Sequence, residues 1–184
     1  MKKICLLLCI ILSGCFSTPN SSFYMLRTES DKQVFANKLS IGVYDIVLPE
    51  YLDKPQIVLQ KPNSTEITIS EFNRWAIDLS AMLKNTLIED LQQILPNAKI
   101  SALEFGVNSQ YVVKVEIEKF SGWFNNKAVL QANWQILNQQ GKIIFSKSST
   151  YQKNIGKNYD SYVSAQSQLW ADLAFDISKK LKNL

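Results

Sequence analysis

The 184-residue chain has no histidine. That absence excludes Ser-His-Asp and Cys-His nucleophile pairs, His-ligated zinc and an imidazole proton shuttle. Any catalysis would fall to carboxylates, Lys, Tyr or a Ser-Lys arrangement. Glycine is also scarce: the six residues are scattered and fit neither GxGxxG nor the Walker phosphate loop. Cysteine is confined to Cys5, Cys9 and Cys15. No apolar run reaches the about 20 residues needed to cross a bilayer. What is present, 46% hydrophobic and 20% charged residues, is ordinary globular usage for one domain with a tail.

The tail is at the N-terminus. Lys2 and Lys3 precede a nine-residue apolar run, Ile4 to Leu12, which then meets small residues. This is the layout of a secretory signal, so residues 1–14 are set aside from the fold. Leu12-Ser13-Gly14-Cys15 resembles the bacterial lipobox. Small Ser13 and Gly14 admit a peptidase, and the Cys15 thiol takes a diacylglycerol. The alternative is an ordinary cleaved signal with a chance Cys. Cleavage removes Cys5 and Cys9, so no disulfide is expected despite an oxidising compartment. Each buried methylene adds about 0.8 kcal/mol, so two or three acyl chains give stable anchoring. In enteric-type lipoprotein sorting Asp after the Cys retains a protein at the inner membrane, so by that rule the resemblance to a lipobox followed by Phe16 implies the outer membrane. Export and a formal charge of only +4 disfavour nucleic acid.

Residues 15–22, the lipidated Cys and a polar tether, lead into one domain over 23–184. Seven extended tether residues reach at most about 25 Å. Apolar residues of both parities over Leu39–Leu48 predict a strand buried on both faces. Shorter strands are expected at Ile57–Leu59 and Ile67–Ile69. Tyr111–Glu118 and Ala128–Ile136 alternate apolar and polar residues, and Ile143 opens a further strand running to Tyr151. Gly122–Asn126 reads as a hairpin loop. Helical spacing runs from Glu71 to Leu95, with Ser70 as N-cap and Pro96 as stop, and again from Tyr159 to Leu181, capped by Asn158 or Asp160. The expected fold is α/β: a single domain, with a mixed β-sheet packed with two long helices.

The candidates for chemistry are few. Glu116 and Glu118 share a strand face at a spacing that a glycosidase pair would tolerate. Their alternation with Val113, Val115 and Ile117 reads instead as a solvated face. Lys119 to Tyr159 holds six lysines and no acidic residue. Such a region suits an anionic surface, or is six separate solvated side chains, since strand parity puts them on no common face. Trp123 and Phe124 at the hairpin tip either insert into a membrane or partner, or fold back over the sheet edge. Tyr51 and Leu52, in the loop Pro49–Pro55, pose the same choice. Trp75, Trp134 and Trp170 lie on apolar stripes and are expected in the core.

Taken together, the lipobox, Leu48-Pro49-Glu50-Tyr51-Leu52-Asp53-Lys54-Pro55-Gln56-Ile57-Val58, the segment Asn73-Arg74-Trp75-Ala76 and the terminal helix resemble the ABC-type transport auxiliary lipoproteins, in particular their PqiC-like branch. The pattern usually has Arg where this chain has Lys54, and a Glu-Pro-like pair where it has Ile77-Asp78. The resemblance implies a non-enzymatic outer-membrane lipoprotein facing the periplasm. Such proteins work with an MCE-domain (PqiB-like) periplasmic protein in lipid movement, as a homo-oligomeric ring receiving the tip of an MCE tube. It implies no cofactor, no metal and no catalytic residue. Contacts to a partner or membrane would fall to Tyr51, Leu52, Lys54, Trp123 and Phe124, and lipidation to Cys15. A structural or assembly lipoprotein that binds cell wall or an outer-membrane machine would use the same parts.

Overall fold

Twelve-residue strands whose apolar residues alternate over most of their length form the middle of the molecule. The computed structural model describes residues 19–29, 34–103 and 108–184. The signal segment, Cys15 and the start of the tether lie outside the described residues. In chain order the elements are β1 (Ser22–Tyr24), β2 (Ser40–Val43), a 3-10 turn (Glu50–Leu52), β3 (Gln56–Gln60), β4 (Ile67–Trp75), α1 (Leu79–Ile94), β5 (Lys99–Ala102), β6 (Tyr111–Gly122), β7 (Lys127–Asn138), β8 (Ile143–Asn154) and α2 (Tyr159–Lys182).

The fold is α/β in a single domain with two helices, and its strands form two sheets. One has five strands in the order β5-β2-β6-β7-β8, with β2 parallel to both neighbours and the rest antiparallel. The other has three, β1-β4-β3, with β1 parallel and β3 antiparallel to β4. On the helix side of the larger sheet, Val113, Val115 and Ile117 pair with Ile136, Trp134 and Ala132, and all six are buried. The opposite side carries Lys114, Glu116, Glu118, Gln131, Asn133 and Gln135, none of them buried. The period-2 pattern therefore predicted both faces correctly. Between Ile117 and Lys119 the register shifts, so Glu118 and Lys119 together oppose Gln131. This bulge returns Phe120 to the buried side three positions after Ile117.

Both helices cover the buried face. On α2 the stripe Tyr162, Leu169, Trp170, Leu173, Ile177 and Leu181 is buried, and Asn158 caps the start by accepting from the Ser161 N–H. Lys179, Lys180 and Lys182 occupy its last turn, where cations complement the dipole. The Trp170 indole N–H donates to the Leu83 carbonyl at 3.1 Å, joining α2 to α1 at their buried contact. Residues 25–29 lie across the helices: the Leu26 N–H points to Met82 Sδ at 3.2 Å and the Arg27 N–H donates to Ser167 Oγ at 3.1 Å.

Two expectations are corrected. The helix expected from Glu71 begins only at Leu79, and its cap is Asp78, whose carboxylate accepts from the Ala81 N–H at 2.8 Å. Residues 67–75 are instead the central strand of the smaller sheet, paired on both sides. Phe72, Trp75 and Leu79 mimic a helical stripe by chance of spacing, but ladder bonds to two neighbours decide the conformation. Ser70 is no cap: its hydroxyl accepts from the Asn73 N–H. The strand expected over Leu39–Leu48 stops at Val43, and beyond it Tyr44 and Val47 are exposed. Val47 still bridges to Glu116, so the segment follows β6 without completing a ladder.

Candidate functional site

The two motif segments, some twenty residues apart, meet in space. Pro49 and Pro55 bound a loop whose centre winds into the 3-10 turn, closed by the Leu52 N–H donating to the Pro49 carbonyl at 2.9 Å. The Trp75 N–H donates to the Pro55 carbonyl at 2.7 Å, and the Ala76 N–H to the Tyr24 carbonyl at 2.9 Å. The end of β4 is therefore held by the loop on one side and by β1 on the other. Trp75 is buried, tilted against Phe120 and Tyr162 with ring centroids 6.1 and 6.5 Å away. The indole thus seats the loop on the domain core.

Above this junction is a shallow groove of about 450 Å³, whose walls include Phe23, Asp53, Lys54, Arg74, Ile77 and Asp78. Phe23 is 65% exposed and Ile77 43% exposed, so an apolar pair is flanked by both signs of charge. Phe23 belongs to β1, whose first residue, Ser22, pairs with Asn73. Sequence reading offered only Lys54 among these groove residues as a contact to a partner or membrane. Phe23 gave no signal of its own, and Arg74 and Ile77 were marked only by their place in or beside the Asn73–Ala76 motif.

The other predicted contact residues are placed differently. Leu52 is only 3% exposed and belongs to the core beneath the loop. Tyr51 is half-buried, its hydroxyl donating to the Glu118 carbonyl at 3.4 Å, and burial raises its phenol above the ordinary value. Trp123 and Phe124 are half-buried and pack against the core. Phe124 meets Tyr159 edge-to-face at 5.0 Å. The hairpin tip is folded back over the start of α2 and does not project. Cys15 lies outside the described residues.

The two acidic side chains of β6 have different surroundings. The Glu118 carboxylate accepts from the side-chain amides of Gln131 and Asn133, while Glu116 lines a shallow hollow with Tyr44, Val47 and the same Asn133. Among the described residues no group of three acidic or thiol side chains is placed to hold a metal. No helix among them is long and apolar enough to cross a membrane.

The chain is similar to known proteins over nearly its whole length. It is 28% identical over 178 residues to the intermembrane transport lipoprotein PqiC of Escherichia coli K12, covering 94% of this chain and 93% of that one. The Shigella flexneri protein of the same name matches at the same level. A solved structure of an uncharacterised protein superposes with a TM-score of 0.75 at 24% identity, covering 89% of this chain and 99% of that one. A solved structure from Xanthomonas campestris superposes at 0.70 and 14% identity, covering 85% and 92%. These two likenesses establish the fold. Residues 24–178 match the family described as the ABC-type transport auxiliary lipoprotein component, from β1 almost to the end of α2 and including both motif segments. The chain belongs to that family.

Proposed function

We propose that this chain is a non-catalytic, outer-membrane-anchored subunit of an MCE/ABC-type intermembrane lipid transport system. In this reading residues 1–14 are the signal peptide, Cys15 carries the acyl chains, 15–22 are the tether and 23–184 the family domain on the periplasmic face. The domain forms a homo-oligomeric ring that receives a PqiB-like MCE-domain protein.

The observation that carries the reading is the junction of the two motif segments at the root of the tether. Both segments build one groove, and Phe23 in its wall follows the anchor by eight residues, at most about 29 Å of extended chain. A partner engaged there is held beside the bilayer. Exposed Phe23 and Ile77 offer apolar area, and Lys54, Arg74, Asp53 and Asp78 offer charge for register, the composition of an interface centre and rim. Self-association is supported by β8, which among the described residues pairs only with β7 and leaves a twelve-residue edge open.

The test is photocrosslinking in intact cells from probes placed at Phe23, Lys54 and Ile77. Adducts to an MCE-domain protein or to a second copy of this chain are expected. Failure to crosslink to either, together with a monomeric chain in detergent extracts, would overturn the assignment. Crosslinks to peptidoglycan-binding or barrel-assembly proteins would replace it with a structural role.

A further inference from the structure

The structure places a second groove away from the motif junction, between two hairpin tips. The β3–β4 turn, Lys61-Pro62-Asn63-Ser64, closes with the Ser64 N–H donating to the Lys61 carbonyl, and Asn63 takes a positive φ of 56°. The β6–β7 turn places Asn125 at φ 55°. Both are left-handed positions that asparagine tolerates better than most residues. Between these tips lies a hollow of about 520 Å³ lined by Lys61, Lys119, Lys127, Ser121, Asn126 and Gln152 among others, and by no acidic side chain among the described residues.

The bulge at Glu118 makes this assembly possible. Without the extra residue Lys119 would alternate to the buried face; with it, Lys119 joins Ser121, Lys127 and Val129 on the open side. The carboxylate of neighbouring Glu118 accepts from the side-chain amides of Gln131 and Asn133. Among the described residues no salt bridge engages Lys61, Lys119 or Lys127, and the Lys127 ammonium donates to the neutral Gln152 side chain at 3.2 Å. On the floor, Ser121 is 2% exposed and its hydroxyl has no hydrogen-bond partner among the described residues. A buried hydroxyl without a partner costs stability unless something occupies the space beside it.

We propose that this groove binds a phosphate group. Three ammonium groups, a hydroxyl and two carboxamides supply several donors converging on one hollow, which suits a tetrahedral anion with three or four acceptor oxygens. A single carboxylate would leave part of the set unused. A phospholipid headgroup and free phosphate share this chemistry. The site stands on the groove alone and does not depend on the transport reading.

The test follows backbone amide signals of the isotope-labelled full chain in a neutral detergent during titration. The probes are inorganic phosphate, dihexanoyl phosphatidylglycerol and, at matched ionic strength, acetate. Saturable shifts at Asn63, Gly122 and Asn126 with either phosphate probe, and none with acetate, are expected. Lys119→Gln with Lys127→Gln should weaken the apparent Kd at least fivefold, and Ser121→Ala should weaken it without loss of fold. Response to the phospholipid alone assigns a headgroup; response to inorganic phosphate assigns the free anion. Absence of saturable shifts with both, equal shifts with acetate, or an affinity indifferent to the paired lysine substitutions would overturn the proposal.

Discussion

Leu52 and Lys54 lie two positions apart in one motif and do different work. Leu52 is buried beneath the loop, whereas Lys54 lines the surface groove. Truncating a buried leucine typically costs 2–5 kcal/mol, so Leu52→Ala is expected to lower the urea midpoint by about that cost divided by the m-value. Lys54→Ala should leave stability within about 0.5 kcal/mol, as surface changes do, and act on partner crosslinking alone. Equilibrium unfolding of both variants beside the parent chain checks the split. Equal destabilisation would show that Lys54 is structural. The motif was legible as a unit, but not which of its members face solvent. Both parities of the loop carry apolar or amphipathic residues, and a 3-10 turn follows neither the strand nor the helix period.

At the scale of elements, long and strictly alternating strands were the easiest to read. β6 and β7 revealed their buried faces because alternation persists over most of their twelve residues. β5 was missed: Lys99–Ala102 is four residues long, too short to display a period. The start of α1 was misplaced because apolar spacing through Phe72 and Trp75 continues smoothly into the true helix. The deciding signal was local, in Asp78, whose carboxylate caps α1. Asp78→Ala is therefore expected to cost about 1 kcal/mol, the usual value of a lost N-cap. Circular dichroism-monitored urea unfolding measures it, and a cost below about 0.3 kcal/mol would contradict the assigned boundary. The lysine-rich stretch was legible as composition only. Strand parity alone scatters its members, and the bulge that brings Lys119 and Lys127 together beside the distant Lys61 is a tertiary fact.

For the whole molecule, two tyrosines tie stability to alkaline pH. Burial pushes the Tyr162 phenol well above the ordinary value of about 10. Burial first, and then the hydrogen bond to Asp176, does the same for Tyr151. Each group therefore keeps its proton in the folded state after the unfolded chain has lost it. Their contribution is whole below about pH 10 and falls as pH rises toward the folded values, by about 1.4 kcal/mol per pH unit for fully buried Tyr162. Urea midpoints between pH 8 and pH 11.5 should drop steeply above pH 10 and less steeply in Tyr162→Phe. A parent profile that is flat to pH 11.5 would contradict the burial of that phenol.

The anchor is the claim on which the molecule's role turns, since a tethered domain holds and receives while a free one does not. Intact mass spectrometry of the chain extracted from fractionated membranes tests it directly. The account predicts an N-terminus at Cys15 carrying a diacylglycerol and an amide-linked acyl chain, in the outer-membrane fraction. An unmodified Cys15 thiol in a chain recovered from the soluble fraction would contradict it.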